Sequence, residues 1–212
     1  MTVLRAEELT VGYSDQPPLL EGWSEVFHGG EVVAITGPSG RGKSTLLYIL
    51  GLMHRAREGR LLLDGENSSE LGDAPRARLR AHRFGFVFQD AALDATRSVV
   101  DNVLETSLYR GVPRSAMVAR ARQLLDRFDV EVRAEARPGQ VSGGQAQRIA
   151  LCRALLNDPR VLLADEPTGN LDAASAAVVT EALHDQAQSG AVVIVVTHDL
   201  ALAGQCHRVV EL

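Results

Sequence analysis

Residues 37–45 read Gly37-Pro38-Ser39-Gly40-Arg41-Gly42-Lys43-Ser44-Thr45 and follow a β-prone run, residues 31–36. This stretch fits the pattern G-x4-G-K-[ST], a loop that joins a strand to a helix and binds phosphate. Its glycines let successive backbone N–H groups point into one concavity, where they bind anionic oxygens. The helix expected to begin near Lys43 adds the positive end of its dipole. The sequence therefore predicts a nucleotide-phosphate site at residues 37–45.

Lys43 is the only lysine among the 22 basic residues of the chain. In a loop of this pattern the lysine reaches the β- and γ-phosphates, and the hydroxyl that follows it, here Ser44, suits Mg²⁺. Kinases, GTPases and transport ATPases share the pattern, so it does not by itself say what the nucleotide is for. A guanine-specific N-K-x-D motif would need a second lysine, and this disfavours GTP.

Composition limits the other functions that the chain can have. It has 212 residues and a net charge of −5, so a basic nucleic-acid footprint is not indicated. The longest unbroken apolar run, residues 191–196, is six residues long, whereas a membrane-spanning helix needs ~20. The first residues lack the apolar core of a signal peptide, so a cytoplasmic location is expected. Two distant cysteines, Cys152 and Cys206, indicate neither a disulfide framework nor a metal motif.

Short β-prone runs alternate with helical patterns, which predicts an α/β domain with a mostly parallel sheet. Apolar residues three and four apart predict helix between Val99 and Phe128. Two runs that are apolar on both faces, residues 161–164 and 191–196, are expected to be central buried strands. We expect a single domain over residues 1–212, with a core of residues 1–88 and 159–212 and a helical insert at about 89–158. The other predicted strands are residues 3–11, 23–27, 31–36, 60–63 and 84–88, and the other predicted helices are residues 43–52, a helix after Ser142, and residues 173–188.

Polar residues follow both of the predicted central strands. Asp165 and Glu166 come directly after residues 161–164, and open parallel sheets bind ligands at the carboxyl ends of their strands. Beside a phosphate loop, Asp165 suits Mg²⁺, directly or through water, and Glu166 suits the orientation of an attacking water for in-line hydrolysis. The second strand ends at Thr197-His198-Asp199, where His198 is placed to contact a γ-phosphate. On its own, a histidine in such a place is more often structural.

The order of the short motifs is the most specific signal in the chain. The phosphate loop is followed by Gln89, Val141-Ser142-Gly143-Gly144-Gln145, Asp165-Glu166-Pro167, Asn170-Leu171-Asp172 and Thr197-His198-Asp199. Ser142 is a good helix N-cap, and two glycines leave the helix N-terminus open to phosphate. In series these motifs resemble the ATP-binding subunit of ABC transporters over essentially the whole chain. The resemblance implies a P-loop NTPase fold with a RecA-like core, an N-terminal antiparallel β subdomain and an inserted helical subdomain.

The resemblance also implies a role for each motif. Two ATP molecules with Mg²⁺ would lie between two head-to-tail copies of the chain, each held by the loop of one copy and by residues 142–145 of the other. Gln89 would sense Mg²⁺ or water, Asp172 would lie in a loop that crosses the dimer interface, and Tyr13 would stack on adenine. The implied catalytic residues are Glu166, His198, Gln89 and Lys43, and the implied Mg²⁺ ligands are Ser44, Gln89 and Asp165.

A membrane partner is implied by the same resemblance. The chain would be a peripheral ATPase on the cytoplasmic face of the plasma membrane, driving a separately encoded permease, with no nucleic-acid partner. Residues 165–172 are similar to the macrolide-export, lipoprotein-release and cell-division group. Residues 91–98 depart from it, because they lack the apolar, proline-containing stretch typical of the region that receives the permease's coupling helix. A non-transport ABC ATPase of the cell-division or iron–sulfur assembly type, and an importer ATPase, stay open as alternatives.

One charge cluster is assigned to the surface. Four arginines, at positions 76, 78, 80 and 83, crowd into eight residues. Their spacing spreads them around a helix and not along one stripe, so we expect a solvated helix there.

Overall fold

The chain folds into two β-sheets with helices around them. The computed structural model describes residues 1–12, 16–169 and 171–212. The strands in these residues are β1 (Val3–Val11), β2 (Leu20–His28), β3 (Val32–Thr36), β4 (Glu58–Leu63), β5 (Glu66–Asn67), β6 (Phe84–Val87), β7 (Val161–Asp165), β8 (Val192–Val196) and β9 (Arg208–Glu211). One sheet is parallel, with the order β6-β7-β8-β3-β9, and the other is antiparallel, with the order β2-β1-β4-β5. This is the α/β architecture that the sequence predicts.

The central strands of the parallel sheet are covered on both faces. Every residue of β7 and β8 is buried. Successive side chains point to opposite faces of a strand. Leu162 and Val193 therefore join one buried cluster, and Leu163 and Ile194 join the other. Because β7, β8 and β3 are parallel neighbours, the loops that follow them lie at the same edge of the sheet.

The helices in the described residues are α1 (Lys43–Leu50), α2 (Asp73–Arg83), α3 (Val99–Tyr109), α4 (Arg114–Arg127), α5 (Gly143–Leu155), α6 (Ala173–Gln188) and α7 (Leu200–Gln205). The helical pattern between Val99 and Phe128 is divided into two helices. Gly111 has a φ of +69° between them, and Pro113 is the N-cap residue of α4. A left-handed glycine followed by a proline ends one helix and starts another.

The cluster of arginines is only partly the solvated helix that the sequence predicts. The residues do form a helix, α2, but Arg76 is only 5% exposed. Its guanidinium donates to the carbonyls of Leu52 and His54, and that of Arg80 also donates to Leu52. These carbonyls belong to the turn that follows α1, outside any helix or strand, and the two arginines supply their hydrogen-bond donors. The prediction is therefore wrong for Arg76, because an arginine can be buried when carbonyl oxygens accept its N–H groups.

The helices of the middle of the chain extend one of the two buried clusters. In that cluster, residues of α3, α4 and α5 pack against one face of the parallel sheet. In the second cluster, α1 and the antiparallel sheet pack against the opposite face. The division into a core and an insert at residues 89–158 stays a prediction. Among the described helices, none combines the length and the apolar content needed to cross a bilayer.

Candidate nucleotide site

The loop after β3 has the backbone conformation that its glycines allow. Gly37, Gly40 and Gly42 have φ values of +137°, +79° and +84°. A side chain at Gly37 would also meet the backbone, because its Cβ would lie 2.7 Å from the carbonyl oxygen of Leu212. Gly42 is the left-handed N-cap of α1, so the loop turns directly into the helix N-terminus. Backbone of this kind presents N–H groups to an anion.

Lys43 folds back over this loop. Its Nζ atom donates to the carbonyl oxygens of Gly37 at 2.8 Å and Pro38 at 2.9 Å. An ammonium group has three N–H donors, so one remains available to a phosphate oxygen. The two carbonyl contacts hold the charge at the loop, where the sequence predicts the β- and γ-phosphates.

Asp165, at the end of β7, meets α1. Its Oδ1 lies 3.2 Å from the Ser44 hydroxyl and its Oδ2 lies 3.3 Å from the Tyr48 hydroxyl. Asp165 is 2% exposed, and burial raises its pKa, an effect that the hydrogen bonds from Ser44 and Tyr48 oppose. A hydroxyl beside a desolvated carboxylate is an oxygen donor set that suits Mg²⁺ together with phosphate oxygens. These residues therefore fit the metal, although no group of three His, Cys, Asp or Glu side chains suited to a metal occurs in the described residues.

Glu166 and His198 form a second contact at the same edge. Oε1 of Glu166 lies 2.7 Å from His198 Nδ1 and accepts the His198 backbone N–H at 3.0 Å. Its Oε2 accepts from the Thr197 hydroxyl at 3.2 Å. The Glu166 side chain is 11% exposed and that of His198 is 73% exposed, and the hydrogen bond with Glu166 raises the pKa of His198. Glu166 also has a φ of +46°, a conformation that is unfavourable for a residue with a Cβ.

Ser142 and Gln145 cap α5 reciprocally. The Ser142 hydroxyl accepts the Gln145 backbone N–H at 3.2 Å, and the Gln145 side chain accepts the Ser142 N–H at 3.0 Å. Ser142 and Gly143 are exposed. A Cβ built on Gly143 meets nothing within 4 Å, and one built on Gly144 is 3.5 Å from Leu171. The N-terminal end of α5 is therefore open on the surface.

The remaining predicted site residues lie in different surroundings. Gln89 is exposed and lines a cavity of about 550 Å³ with Tyr48, Phe88, Asp90 and Ala92. Asp172 is the N-cap of α6 and accepts the Ser175 N–H at 2.8 Å. Arg41 is exposed, and Thr45 lies in the first turn of α1. Tyr13 and Asn170 lie outside the described residues.

Three side chains at the site were not anticipated from the sequence: Tyr48, Gln147 and Arg153. Tyr48 contacts Asp165, while Gln147 and Arg153 bind the backbone of the loop that carries Gln89. Only the position of Tyr48, one helical turn beyond Ser44, could have indicated its role, because residues four apart share a helix face.

A family model described as ABC transporter matches residues 20–169. The chain belongs to the ABC transporter family. Its resemblance to an ABC ATP-binding subunit is thereby confirmed, and so is the prediction of an ATP-binding, ATP-hydrolysing domain.

Relatives and solved structures agree with this membership. The lipoprotein-releasing system ATP-binding protein LolD of Paramagnetospirillum magneticum is 45% identical over 199 residues, 93% of this chain and 88% of LolD. A pyoverdine export ATP-binding/permease protein, PvdT of Pseudomonas savastanoi, is 46% identical over 211 residues, 99% of this chain and 32% of PvdT. The chain thus spans about a third of the length of the PvdT proteins that it matches.

The dimeric structure of the ABC transporter cassette MJ0796 superposes on this fold with a TM-score of 0.92. It is 32% identical, and the match covers 99% of this chain and 94% of the cassette. The same cassette in a dimeric, post-hydrolysis state with ADP and Pi gives a TM-score of 0.89 at 31% identity, with the same coverage. The predicted fold class is confirmed by these matches.

Proposed function

We propose that two copies of this chain bind two Mg·ATP molecules between them and hydrolyse ATP to drive a separate membrane permease. The observation that carries the proposal is the meeting of three loops at one edge of the parallel sheet. The contact between Ser44 and Asp165 connects the segments that follow β3 and β7. The contact between Glu166 and His198 connects the segments that follow β7 and β8. Phosphate-binding backbone, a metal-suited carboxylate and a second carboxylate beside a histidine are the parts that phosphoryl transfer to water requires.

Each group of site residues has its own role in the proposed hydrolysis. The loop amides and Lys43 bind the β- and γ-phosphates, while Ser44 and Asp165 would hold Mg²⁺. When bound, Mg²⁺ neutralises the charge that develops on the phosphate oxygens. Glu166 orients the attacking water and accepts its proton on a carboxylate oxygen. His198 uses Nδ1 for Glu166, so its Nε2 is the ring nitrogen that would contact a γ-phosphate oxygen.

A second copy completes the site in this proposal. The open N-terminal end of α5 places Ser142 and Gly143 on the surface, where the Gly143 N–H, the Ser142 hydroxyl and the helix dipole suit an anion. The solved relative MJ0796 is a dimer. We assign residues 142–145 to the nucleotide held by the other copy's Lys43, and Asp172 to the loop that crosses between the copies.

The permease partner would bind in a groove between α2 and β6 on one side and α3 and α5 on the other, at the border of the helical insert that we place at about residues 89–158. A cavity of about 790 Å³ has the rings of Phe84, Phe86 and Phe88 in its wall, together with four arginines at positions 78, 80, 110 and 153. Glu105 also lines the cavity but pairs with Arg97, and among the described residues no carboxylate lies within 4.0 Å of these four guanidinium groups. An acidic segment with an apolar face complements such a wall. The relatives named for lipoprotein release and pyoverdine export favour export or mechanical work outside the cytoplasm, with this chain at the cytoplasmic face.

The substitution Glu166→Gln tests the proposal. We expect it to leave ATP binding intact, to lower kcat by about 10²–10³, the order for loss of a general base, and to trap an ATP-dependent dimer visible by size-exclusion chromatography. Glu181→Gln, at an exposed position on α6, is the matched control and keeps full turnover. Unchanged hydrolysis in Glu166→Gln would remove Glu166 from the mechanism.

Cross-linking tests the arrangement of the dimer separately. Cysteines introduced at Ser142 and Ser39, both exposed, are expected to link two copies of the Glu166→Gln chain only when ATP and Mg²⁺ are present. A link that forms equally without nucleotide, or that fails to form with it, would contradict the head-to-tail arrangement.

A further inference from the structure

A buried arginine of α5 holds the loop that follows β6. Arg153 is 6% exposed. Its guanidinium donates to two consecutive carbonyl oxygens, that of Ala92 at 2.6 Å and that of Ala91 at 2.7 Å. Burial lowers the pKa of Arg153, because the charged form loses water. Burying a cation is costly unless its N–H groups find acceptors, so these two carbonyls are what makes its position tolerable.

The two carbonyls belong to strained backbone. Ala91 and Ala92 have φ values of +60° and +46°. Consecutive residues with a Cβ rarely adopt left-handed conformations, because the Cβ crowds the following carbonyl. Such backbone persists only where its surroundings enforce it. The loop would therefore leave this conformation if the guanidinium were removed.

Helix α5 also binds this loop on the N-terminal side of Gln89, through Gln147. The Gln147 side chain is 6% exposed, and its Nε2 donates to the carbonyl oxygen of Phe88 at 3.2 Å. Buried side chains of α5 thus hold the backbone just before and just after Gln89, while the Gln89 side chain itself is exposed.

We propose that Arg153 is a positioning residue for Gln89: it keeps the strained backbone at Ala91 and Ala92 in the conformation that presents the Gln89 side chain to the nucleotide site. This inference rests on the proposed ATPase function and assigns a residue that supports it. Arg153 does not touch the nucleotide. It ties the Gln89 loop to α5, whose N-terminal end is the part assigned above to the other copy's nucleotide.

A double-mutant cycle between two residues that do not touch tests the proposal. ATPase kcat and KM are measured for the wild-type chain, Arg153→Gln, Gln89→Ala and the double variant. We expect Arg153→Gln to lower kcat on the order of tenfold, with KM for ATP changed less than about twofold because the phosphate loop is intact. In the Gln89→Ala background the same change is expected to lower kcat less than about twofold. Independent, multiplicative losses would overturn the proposal.

The chain offers a matched control and a rescue. Arg76 is also a buried arginine whose guanidinium donates to two carbonyls, so Arg76→Gln imposes a similar loss of hydrogen bonds away from the loop. Its effect on kcat is expected to be the same with or without Gln89. Glycine adopts positive φ without strain, so Ala91→Gly with Ala92→Gly is expected to restore most of the kcat lost in Arg153→Gln. Failure of this rescue would show that Arg153 does not act by enforcing the strained backbone.

Hydrogen exchange without nucleotide gives a readout that does not depend on turnover. In Arg153→Gln the backbone amides of residues 89–98 are expected to exchange on the order of tenfold faster, whereas in Arg76→Gln they are unchanged. If Arg153→Gln does not fold, Arg153→Lys replaces it, since an ammonium lacks the fork that binds two carbonyls at once. Unchanged exchange in these variants would overturn the inference and leave the ATPase proposal standing. A wild-type chain that hydrolyses no ATP would refute the ATPase function. The exchange result would still test whether Arg153 holds the loop.

Discussion

Nδ1 of His198 lies 2.7 Å from Oε1 of Glu166, although the two residues are 32 positions apart in the sequence. The contact exists because β7 and β8 are parallel neighbours that end together. The backbone N–H of His198 and the hydroxyl of Thr197 bind the same carboxylate, so three donors fix its orientation. A carboxylate held in this way is oriented in advance, as the role proposed for Glu166 towards a water molecule requires.

This contact predicts a shifted titration of His198. The hydrogen bond with Glu166 raises its pKa above the ordinary value of 6.5. We expect NMR titration of the nucleotide-free chain to show the raised value, and Glu166→Gln to bring it back towards 6.5. Glu181→Gln is the control that leaves it raised. A pKa of His198 that is the same in the wild-type chain and in Glu166→Gln would mean that the contact does not exist in solution.

The same shift has a consequence for stability. A group whose pKa is higher in the folded state stabilises that state below its unfolded pKa, and the contribution is lost as the pH rises through the folded pKa. The urea midpoint of the wild-type chain should therefore exceed that of Glu166→Gln by more at about pH 6 than at about pH 9. A gap between the two midpoints that widens as the pH rises would contradict the assigned sign.

Removal of the only lysine is expected to weaken ATP binding. Lys43→Ala deletes the ammonium group that bridges Gly37 and Pro38 and that we propose binds the phosphates. A hydrogen bond from a charged donor contributes about 1.5–3 kcal/mol, so loss of the one N–H that remains for phosphate should raise the Kd for ATP by about 10- to 150-fold. Calorimetry measures the affinity, and circular dichroism establishes that the variant is folded. A near-normal affinity in a folded variant would contradict the phosphate-loop assignment.

The phosphate loop and the strand-end carboxylates could be predicted because their signals are local. Gly42, Lys43 and Ser44 form one motif, and Asp165 directly follows an apolar run of the kind that is typical of a buried strand. The burial of Arg76 and Arg153 could not be predicted, since arginine is usually exposed and the carbonyls that they bind are distant in the sequence.

Short elements were missed for a different reason. Helix α7 has six residues and strand β9 has four, which is too short for a periodic pattern to emerge. The break between α3 and α4 did have a local signal, Gly111 followed by Pro113, but the apolar spacing across it was continuous enough to hide the break.

Tyr48 is expected to tune the metal affinity through Asp165. Its hydroxyl contacts Oδ2 at 3.3 Å, leaving Oδ1 on the side of Ser44. Loss of a partner that orients a ligand costs 10- to 100-fold in metal affinity in well-built sites, and this bond is long, so Tyr48→Phe should raise the Mg²⁺ concentration for half-maximal hydrolysis by about 3- to 10-fold. Tyr109→Phe, which removes a hydroxyl bonded to Glu105, is the control. An unchanged Mg²⁺ requirement in Tyr48→Phe would show that Tyr48 only packs there.

Close approach of α5 to β6 predicts the effect of adding one methyl group at Gly85. A Cβ there would lie 2.5 Å from the carbonyl oxygen of Ala154, in the last turn of α5. Backbone cannot yield as a flexible side chain does, so Gly85→Ala should lower the free energy of unfolding by about 1–3 kcal/mol. Gly204→Ala in α7 is the matched control: its Cβ meets nothing within 4 Å, and alanine favours a helix over glycine by about 0.5–1 kcal/mol. Urea denaturation should therefore move the two midpoints in opposite directions. Equal stability of Gly85→Ala and the wild-type chain would mean that α5 does not sit this close to the edge strand.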